Sequence, residues 1–107
     1  MDYNNYFKQM HLDSLNAAMD RGLDLMGKRP SNELFDVWQD YGKIALRSFA
    51  EYTGDYSLLN DYLEFLIKIY GLSPFEKFKL TIRKLMEYYR YLAHLNYEYF
   101  KGPSWAK

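Results

Sequence analysis

Apolar side chains recur every three or four residues along four separate segments of this sequence, which is the period of an amphipathic α-helix. A glycine follows each segment, as is common just past a helix C-terminus; the four are Gly27, Gly54, Gly71 and Gly102. The prolines lie near three of these glycines and outside the helix interiors. The pattern predicts helices over residues 3–26, 32–53, 56–70 and 74–101.

Connections of only a few residues join these segments, and short connections favour antiparallel neighbours. We therefore predict an all-α fold, a compact four-helix bundle with short connections and a long C-terminal helix. A chain of 107 residues suits one domain with one core. In this prediction residues 1–102 form a single helical domain, and residues 103–107 form a short C-terminal tail.

Polar residues that suit helix N-termini mark two of the predicted boundaries. Ser31 or Asn32 can cap the second helix by accepting a hydrogen bond from a free backbone N–H. The fourth helix opens with a capping box, in which Ser73 accepts from the N–H of Glu76 and the Glu76 side chain reaches back. Pro74 suits the first turn of that helix.

The third segment, residues 55–70, is apolar almost all round and has only a narrow polar strip. A helix of this kind is central in its fold, or another chain covers its second side. The fourth helix is longer than the third can cover, so its C-terminal end is expected to protrude or to meet another subunit. Both observations predict self-association, and we expect a homodimer.

The fourth helix also has an apolar seam whose members alternate by three and four positions, as in a coiled coil. The seam consists of Phe75, Phe78, Ile82, Leu85, Tyr89, Leu92, Asn96 and Tyr99. The positions that face away from it mix basic residues with tyrosine, types that are enriched in interface hot spots or suited to stacking. The candidate partner-binding residues are Arg83, Lys84, Arg90, Tyr91, His94 and Tyr97.

Composition and charge narrow the range of functions. The formal net charge is zero, so no global attraction to nucleic acid or to an anionic membrane is expected. Residues 1–72 carry 11 acidic and 7 basic side chains, whereas residues 73–107 carry 3 and 7, so the acidic helices should pack beside the basic one. The longest apolar stretch, residues 62–70, is too short to span a membrane. Without cysteine or a signal-peptide pattern, a cytoplasmic location is predicted.

No pattern typical of an active site is present. Neither of the two histidines, His11 and His94, follows a glutamate by three positions, as a di-metal site in a helical bundle requires. The segment from Arg90 to His94 resembles the Arg-to-His signature of HEPN-type ribonucleases, but its three intervening residues are fewer than that signature has. We therefore predict a protein that is not an enzyme and that uses no cofactor or metal ion.

The second helix carries a further resemblance. Residues 32–56 read NELFDVWQDYGKIALRSFAEYTGDY. This segment resembles the aromatic, amphipathic helices of phasins and of the PhaE-type subunit of polyhydroxyalkanoate synthases. The resemblance implies association with an apolar granule or with a synthase partner.

These observations predict a non-enzymatic helical protein–protein interaction module, an inhibitor, adaptor or assembly factor that also binds itself. Binding of single-stranded nucleic acid is the alternative, because the outer face of the last helix combines basic side chains with tyrosines on which bases can stack. Phasin-like or PhaE-like association is the second alternative. The net charge of zero favours a protein partner over nucleic acid.

Overall fold

The computed structural model describes the backbone of residues 3–101 and the side chains of residues 9–95. This part of the chain contains no strand and folds into α1 (Tyr3–Lys28), α2 (Asn32–Thr53), α3 (Ser57–Lys68) and α4 (Pro74–Lys101). The prediction of an all-α four-helix bundle is confirmed. The helix bounds differ from the predicted ones by at most two residues. The predicted tail, residues 103–107, lies outside the described residues.

Local hydrogen bonds explain where α2 begins and ends. The Ser31 Oγ accepts a hydrogen bond from the Leu34 N–H at 3.1 Å, so Ser31 rather than Asn32 is the cap. At the other end, Gly54 adopts the left-handed conformation with a φ of 80°, and its N–H donates to the Ala50 carbonyl. A glycine is suited to this position because other residues are strained at positive φ.

The start of α4 forms half of the predicted capping box. The Ser73 Oγ accepts a hydrogen bond from the Glu76 N–H at 3.3 Å, as expected. The Glu76 carboxylate, however, lies 3.3 Å from the Lys79 Nζ and makes no hydrogen bond to the Ser73 backbone. The Ser73 side chain therefore caps one free N–H group of the helix. The Glu76 carboxylate pairs with Lys79, one turn further along, instead of completing the capping box.

The main body of the bundle consists of α1, α2 and α4. Among the described residues α4 packs most extensively against α1, and α1 packs against α2. In the part of the chain that the structure describes, the short α3 contacts α2 and α4 but not α1. The interpretation of the third segment as a central helix is therefore wrong, and its coverage by another chain stays a prediction.

The length of α4 has an explanation within one chain. Its 28 residues lie along α1, which has 26, rather than along the 12 residues of α3. The prediction compared α4 with the wrong neighbour, because a sequence pattern does not show which helices pair. The excess length of α4 over α3 is therefore no argument for a second subunit.

The core centres on an aromatic group formed by α2 and α4. The ring centroids of Trp38 and Phe78 lie 5.1 Å apart, and those of Phe35 and Phe78 lie 5.5 Å apart. All three side chains are buried. The indole N–H of Trp38 donates to the Ala18 carbonyl at 2.8 Å, which ties α2 to α1 and satisfies the polar atom of this ring.

The seam of α4 is only partly as predicted. Three of its members, Phe78, Leu85 and Leu92, are buried, but the buried positions between them are Thr81 and Tyr88. The predicted Ile82 and Tyr89 are half-buried. The buried stripe is displaced towards α3, because α4 is covered there as well as by α1 and α2.

The first and last members of the seam have other outcomes. Phe75 is 46% exposed, so its prediction as an inward residue is wrong. It lies in the first turn of α4, where the Lys79 Nζ stands over its ring at 5.8 Å. The side chains of Asn96 and Tyr99 lie outside the described residues.

Candidate protein-binding surfaces

The outer face of α4 keeps four of its six predicted residues on the solvent side. Glu87 is exposed among them, so this face contains a carboxylate as well as two arginines. The Tyr97 side chain lies outside the described residues. The four exposed side chains are Arg83, Arg90, Tyr91 and His94.

Lys84 differs from these four residues, because it is half-buried and paired with carboxylates, and its part in partner binding stays a prediction. Its side chain is only 21% exposed, and its Nζ lies 3.1 Å from the Asp61 Oδ2 and 3.4 Å from the Glu87 Oε1. The same Nζ stands 5.6 Å from the centroid of the Phe65 ring on α3. The pair between Lys84 and Asp61 joins α4 to α3, whereas the other ion pairs in the described part of the chain lie within single helices.

A tyrosine completes this junction between α3 and α4. The Tyr88 hydroxyl donates a hydrogen bond of 2.7 Å to the Asp61 Oδ2. This bond holds the pKa of the Asp61 carboxyl below its ordinary value, and the charge of Lys84 acts in the same direction. Burial and the same hydrogen bond raise the pKa of Tyr88. The junction therefore favours an ionised Asp61 and a neutral Tyr88.

A second tyrosine attaches α3 to α2. The Tyr62 ring is fully buried, and its hydroxyl donates to the Gln39 carbonyl at 2.9 Å. It also meets Tyr88 edge to face, with ring centroids 6.1 Å apart. Burial raises the pKa of Tyr62. Tyr62 and Leu59 are the buried residues of α3, so this helix is anchored along one side only.

The opposite side of α3 exposes two large apolar side chains, which we name the α3 ridge. It consists of Ile67, in the last turn of α3, and Tyr70, in the turn that follows. Ile67 is 76% and Tyr70 is 80% exposed, more than any other large hydrophobic side chain among residues 9–95. Such a pair is costly to leave in water and is typical of a binding surface.

An open groove of about 530 Å³ lies beside the ridge, between α2 and α3 and against the start of α4. Its walls are mainly apolar, since Phe35 from α2 and Leu63 and Leu66 from α3 line it together with the ridge itself. Its polar lining comes from α2 and α4 and consists of Asp36, Gln39, Lys43 and Lys77. An apolar groove with a few polar groups is the usual form of a binding site.

Lys77 is the only lysine or arginine that is buried within residues 9–95. It is 5% exposed, and its Nζ lies 5.3 Å from the centroid of the Phe35 ring and 5.4 Å from that of Tyr70. In the described part of the chain its ammonium forms no ion pair and no hydrogen bond to a side chain. The lysine is therefore held between two aromatic rings in the groove without an anion.

Gln39 adds an unused acceptor to the lining of the groove. Its amide NH₂ donates to the Asp36 carbonyl at 3.1 Å and to the Asp40 Oδ1 at 2.9 Å. Its Oε1 is buried and has no hydrogen-bond partner in the described part of the chain. Buried polar atoms normally have a partner, so this oxygen leaves room for a hydrogen-bond donor in the groove.

A second exposed apolar face lies on the other side of α2. Val37, Tyr41 and Ile44 are 66%, 54% and 61% exposed. A cleft of about 370 Å³ separates this face from α1, where Ala17 and Arg21 line it. Arg21 is the basic residue of this lining, and it pairs with Asp24 at 3.6 Å, so the cleft lacks the unpaired lysine that distinguishes the groove.

Two further properties restrict the chemistry of the described residues. No cluster of three or more histidine and carboxylate side chains there could hold a metal ion. Within residues 3–101, no helix is long and apolar enough to cross a membrane.

Comparisons of the chain with protein-family models, with curated proteins and with solved structures found no match. The resemblance of residues 32–56 to phasins gains no support from them.

Sequence reasoning missed the residues of the groove and the ridge. Ile67 and Tyr70 belong to the segment that was recognised as apolar all round, and that signal could have singled them out as outward residues. Lys77 gave no signal, because a lysine in the second turn of a helix is normally solvated. Its burial depends on Tyr70 and Phe35, which come from other elements.

Proposed function

We propose that this chain is a non-enzymatic helical protein–protein interaction module that binds a second copy of itself through the α3 ridge and the groove. The observation that carries the proposal is the exposure of Ile67 and Tyr70 beside an apolar groove. An adaptor, inhibitor or assembly factor would use such a surface by occluding or joining other proteins.

The energetics favour association at this place. Complete burial of an isoleucine side chain stabilises a complex by about 1.5–3 kcal/mol. Tyrosine is among the residues most enriched in interface hot spots, because a large ring and a polar tip are buried together. Ile67 and Tyr70 thus supply an apolar anchor and an aromatic one on the same side of α3.

The shape of the surface favours a second copy as the occupant. A ridge and a groove lie next to each other, so two chains related by a two-fold axis can each place the ridge in the groove of the other. The charges match at one pair of positions, since Lys77 in the groove forms no ion pair among the described residues and the exposed strip of α3 carries Glu64. The net charge of zero means that two copies do not repel each other at long range.

Sedimentation equilibrium of the full chain tests this proposal. We expect the wild type to associate beyond the monomer mass of 12.9 kDa in the micromolar range. Ile67→Asp should weaken association at least tenfold, because a carboxylate then replaces a buried apolar contact. Ile44→Asp is the matched control, as the same residue type is exposed on a helix at the other apolar face, and it should leave association unchanged.

Two results would contradict the proposal. A wild-type monomer at high micromolar concentration excludes self-association. A loss of association in Ile44→Asp but not in Ile67→Asp places the interface on the face between α1 and α2 instead. Circular dichroism melts of both variants show that each remains folded.

Binding of single-stranded nucleic acid through α4 is the second candidate function. The observation that favours it is that Arg83 and Arg90 are exposed and form no ion pair in the described part of the chain. Tyr91, which is 44% exposed, adds a ring for stacking. A salt titration of oligonucleotide binding tests it, since contacts to phosphate must weaken steeply with salt and be lost when both arginines become glutamate.

A further inference from the structure

The Lys77 side chain is only 5% exposed, and its ammonium has no anion within ion-pair distance in the described part of the chain. Its ammonium lies against the faces of Phe35 and Tyr70, and each of these rings also lines the groove. Aromatic faces stabilise a cation, and an anion that pairs with it in an apolar surface stabilises it further. Asp36, the acidic residue in the lining of the groove, forms no ion pair with Lys77. The groove therefore presents an anion site inside an apolar surface.

We infer that Lys77 is the anion-recognition residue of the groove and that it pairs with a carboxylate carried next to an apolar side chain of the occupant. This rests on the proposed function, in which the occupant is a second copy, and the carboxylate is then Glu64 of that copy. The chemical requirement is one acidic side chain within a helical turn of an isoleucine.

Glu64 meets this requirement. It precedes Ile67 by three positions, so the two side chains lie one turn apart on the same exposed strip of α3. Glu64 is exposed and forms no ion pair among the described residues. When Ile67 enters the groove of a second copy, the carboxylate of Glu64 is carried with it. Asp61, the nearby alternative on α3, is already bound by Lys84 and Tyr88.

The direction of the helices brings Glu64 to the correct end of the groove. Gln39 contacts Tyr62 near the middle of α3, whereas Lys77 contacts Tyr70 just past its C-terminal end. An α3 from the second copy that runs antiparallel places its N-terminal half beside that end. Glu64 lies one turn N-terminal to Ile67, so in the antiparallel helix it is displaced from Ile67 towards this end of the groove, where Lys77 lies.

A double-mutant cycle on the full chain tests the pairing. Lys77→Met removes the charge and keeps the length of the side chain, and Glu64→Gln removes the charge at an exposed position where the fold does not depend on it. We expect each change to raise the dimer dissociation constant about tenfold, because it leaves the other charge unpaired. The double variant should be no more than about twofold weaker than either single one, since both remove the same pair.

Matched controls use charges elsewhere on the chain. Lys79→Met changes a lysine of the same helix that pairs with Glu76 on the surface, and Glu51→Gln changes an exposed glutamate of α2. Both should leave the dissociation constant within about twofold of the wild type. Raising the NaCl concentration should weaken the wild-type dimer more than the Lys77→Met dimer, because only the former contains the charge pair.

The possible results separate this inference from the proposed function. A wild-type dimer whose dissociation constant is unchanged by Lys77→Met and Glu64→Gln overturns the pairing and leaves self-association in place. Additive effects of the two changes also overturn it, since they show that the two residues meet different partners. A wild type that stays monomeric overturns both. If Lys77→Met fails to fold, the exposed Glu64→Gln still decides between these outcomes.

Discussion

Trp38 packs its indole directly on the backbone of Gly22, with no room for even a methyl group between the two helices. A Cβ at Gly22 would lie 2.3 Å from the Cζ2 of Trp38 and 2.7 Å from its Cε2. The indole N–H donates to the Ala18 carbonyl one turn earlier in α1. This glycine, which is unfavourable for a helix on its own, therefore sets the distance between α1 and α2.

Gly22→Ala is expected to lower the free energy of unfolding by about 1–3 kcal/mol, because the methyl group forces a buried ring to move. Gly27→Ala is the matched control in the same helix, where a Cβ would meet nothing within 4 Å. That change should be neutral or stabilise the protein by up to about 1 kcal/mol through its higher helix propensity. Urea denaturation measures both, and equal effects would contradict the packing described here.

The hydrogen bond from Tyr88 to Asp61 should be visible as acid sensitivity. Because the pKa of Asp61 is lowered in the folded protein, its contribution to stability is present above the ordinary value of 3.8 and is lost as the pH falls through the folded value. Tyr88→Phe should cost about 1 kcal/mol at pH 7 and reduce this loss between pH 5 and pH 3. Urea denaturation at these pH values measures it.

Tyr91→Phe serves as the control for that prediction, because its ring is exposed on the outer face of α4. It should change neither the stability at pH 7 nor the acid dependence. A Tyr88→Phe protein with the full acid dependence of the wild type would show that Tyr88 does not stabilise the ionised Asp61.

His11 should make the fold weaker below neutral pH. Its ring is buried, its Nε2 lies 3.3 Å from the Ser48 Oγ, and its Nδ1 has no hydrogen-bond partner in the described part of the chain. Burial lowers its pKa below 6.5, so its contribution to stability is present above pH 6.5 and is lost as the pH falls through the folded value. The free energy of unfolding should therefore be lower at pH 5.5 than at pH 7.5.

His11→Gln removes this titration and should flatten the dependence between those two pH values. His94 remains in that variant and serves as an internal control, since it is the other histidine of the chain. Urea denaturation at pH 7.5 and pH 5.5 gives the comparison. An unchanged pH dependence in His11→Gln would assign it to another group.

The arginines of α4 should have no part in self-association. Arg83 and Arg90 lie on the outer face of α4, away from the groove, whose lysine from α4 is Lys77. The double change of Arg83 and Arg90 to glutamate should therefore leave the dissociation constant of the dimer within about twofold. Sedimentation equilibrium measures it, and a tenfold loss would move the interface to this face.

Local features of this fold could be predicted from sequence because short-range chemistry determines them. The Ser31 cap, the Gly54 terminus and the Ser73 cap depend on residues within four positions of each other. The helical period is local in the same sense. These signals fixed the four helices closely, although Gly27 proved to lie inside the last turn of α1.

The candidate site could not be predicted, because it depends on which helices become neighbours. Lys84 and Lys77 occupy the same helix and have the same chemistry, yet one pairs with Asp61 and the other lies between two rings. The difference comes from the docking of α3, which no periodicity in α4 encodes. The exposure of Ile67 likewise follows from α3 contacting two helices rather than three.

The attachment of α3 along one side has a consequence for local unfolding. This helix of 12 residues is anchored by Leu59, Tyr62 and the Asp61 junction. It should unfold locally at a smaller free-energy cost than α1 and α4, which pack extensively against each other. Amide hydrogens of α3 should exchange first, and association should slow them more than those of any other helix. The surface that we propose for a second copy thus includes the helix that we expect to be least protected of the four, and binding should appear as increased protection of α3.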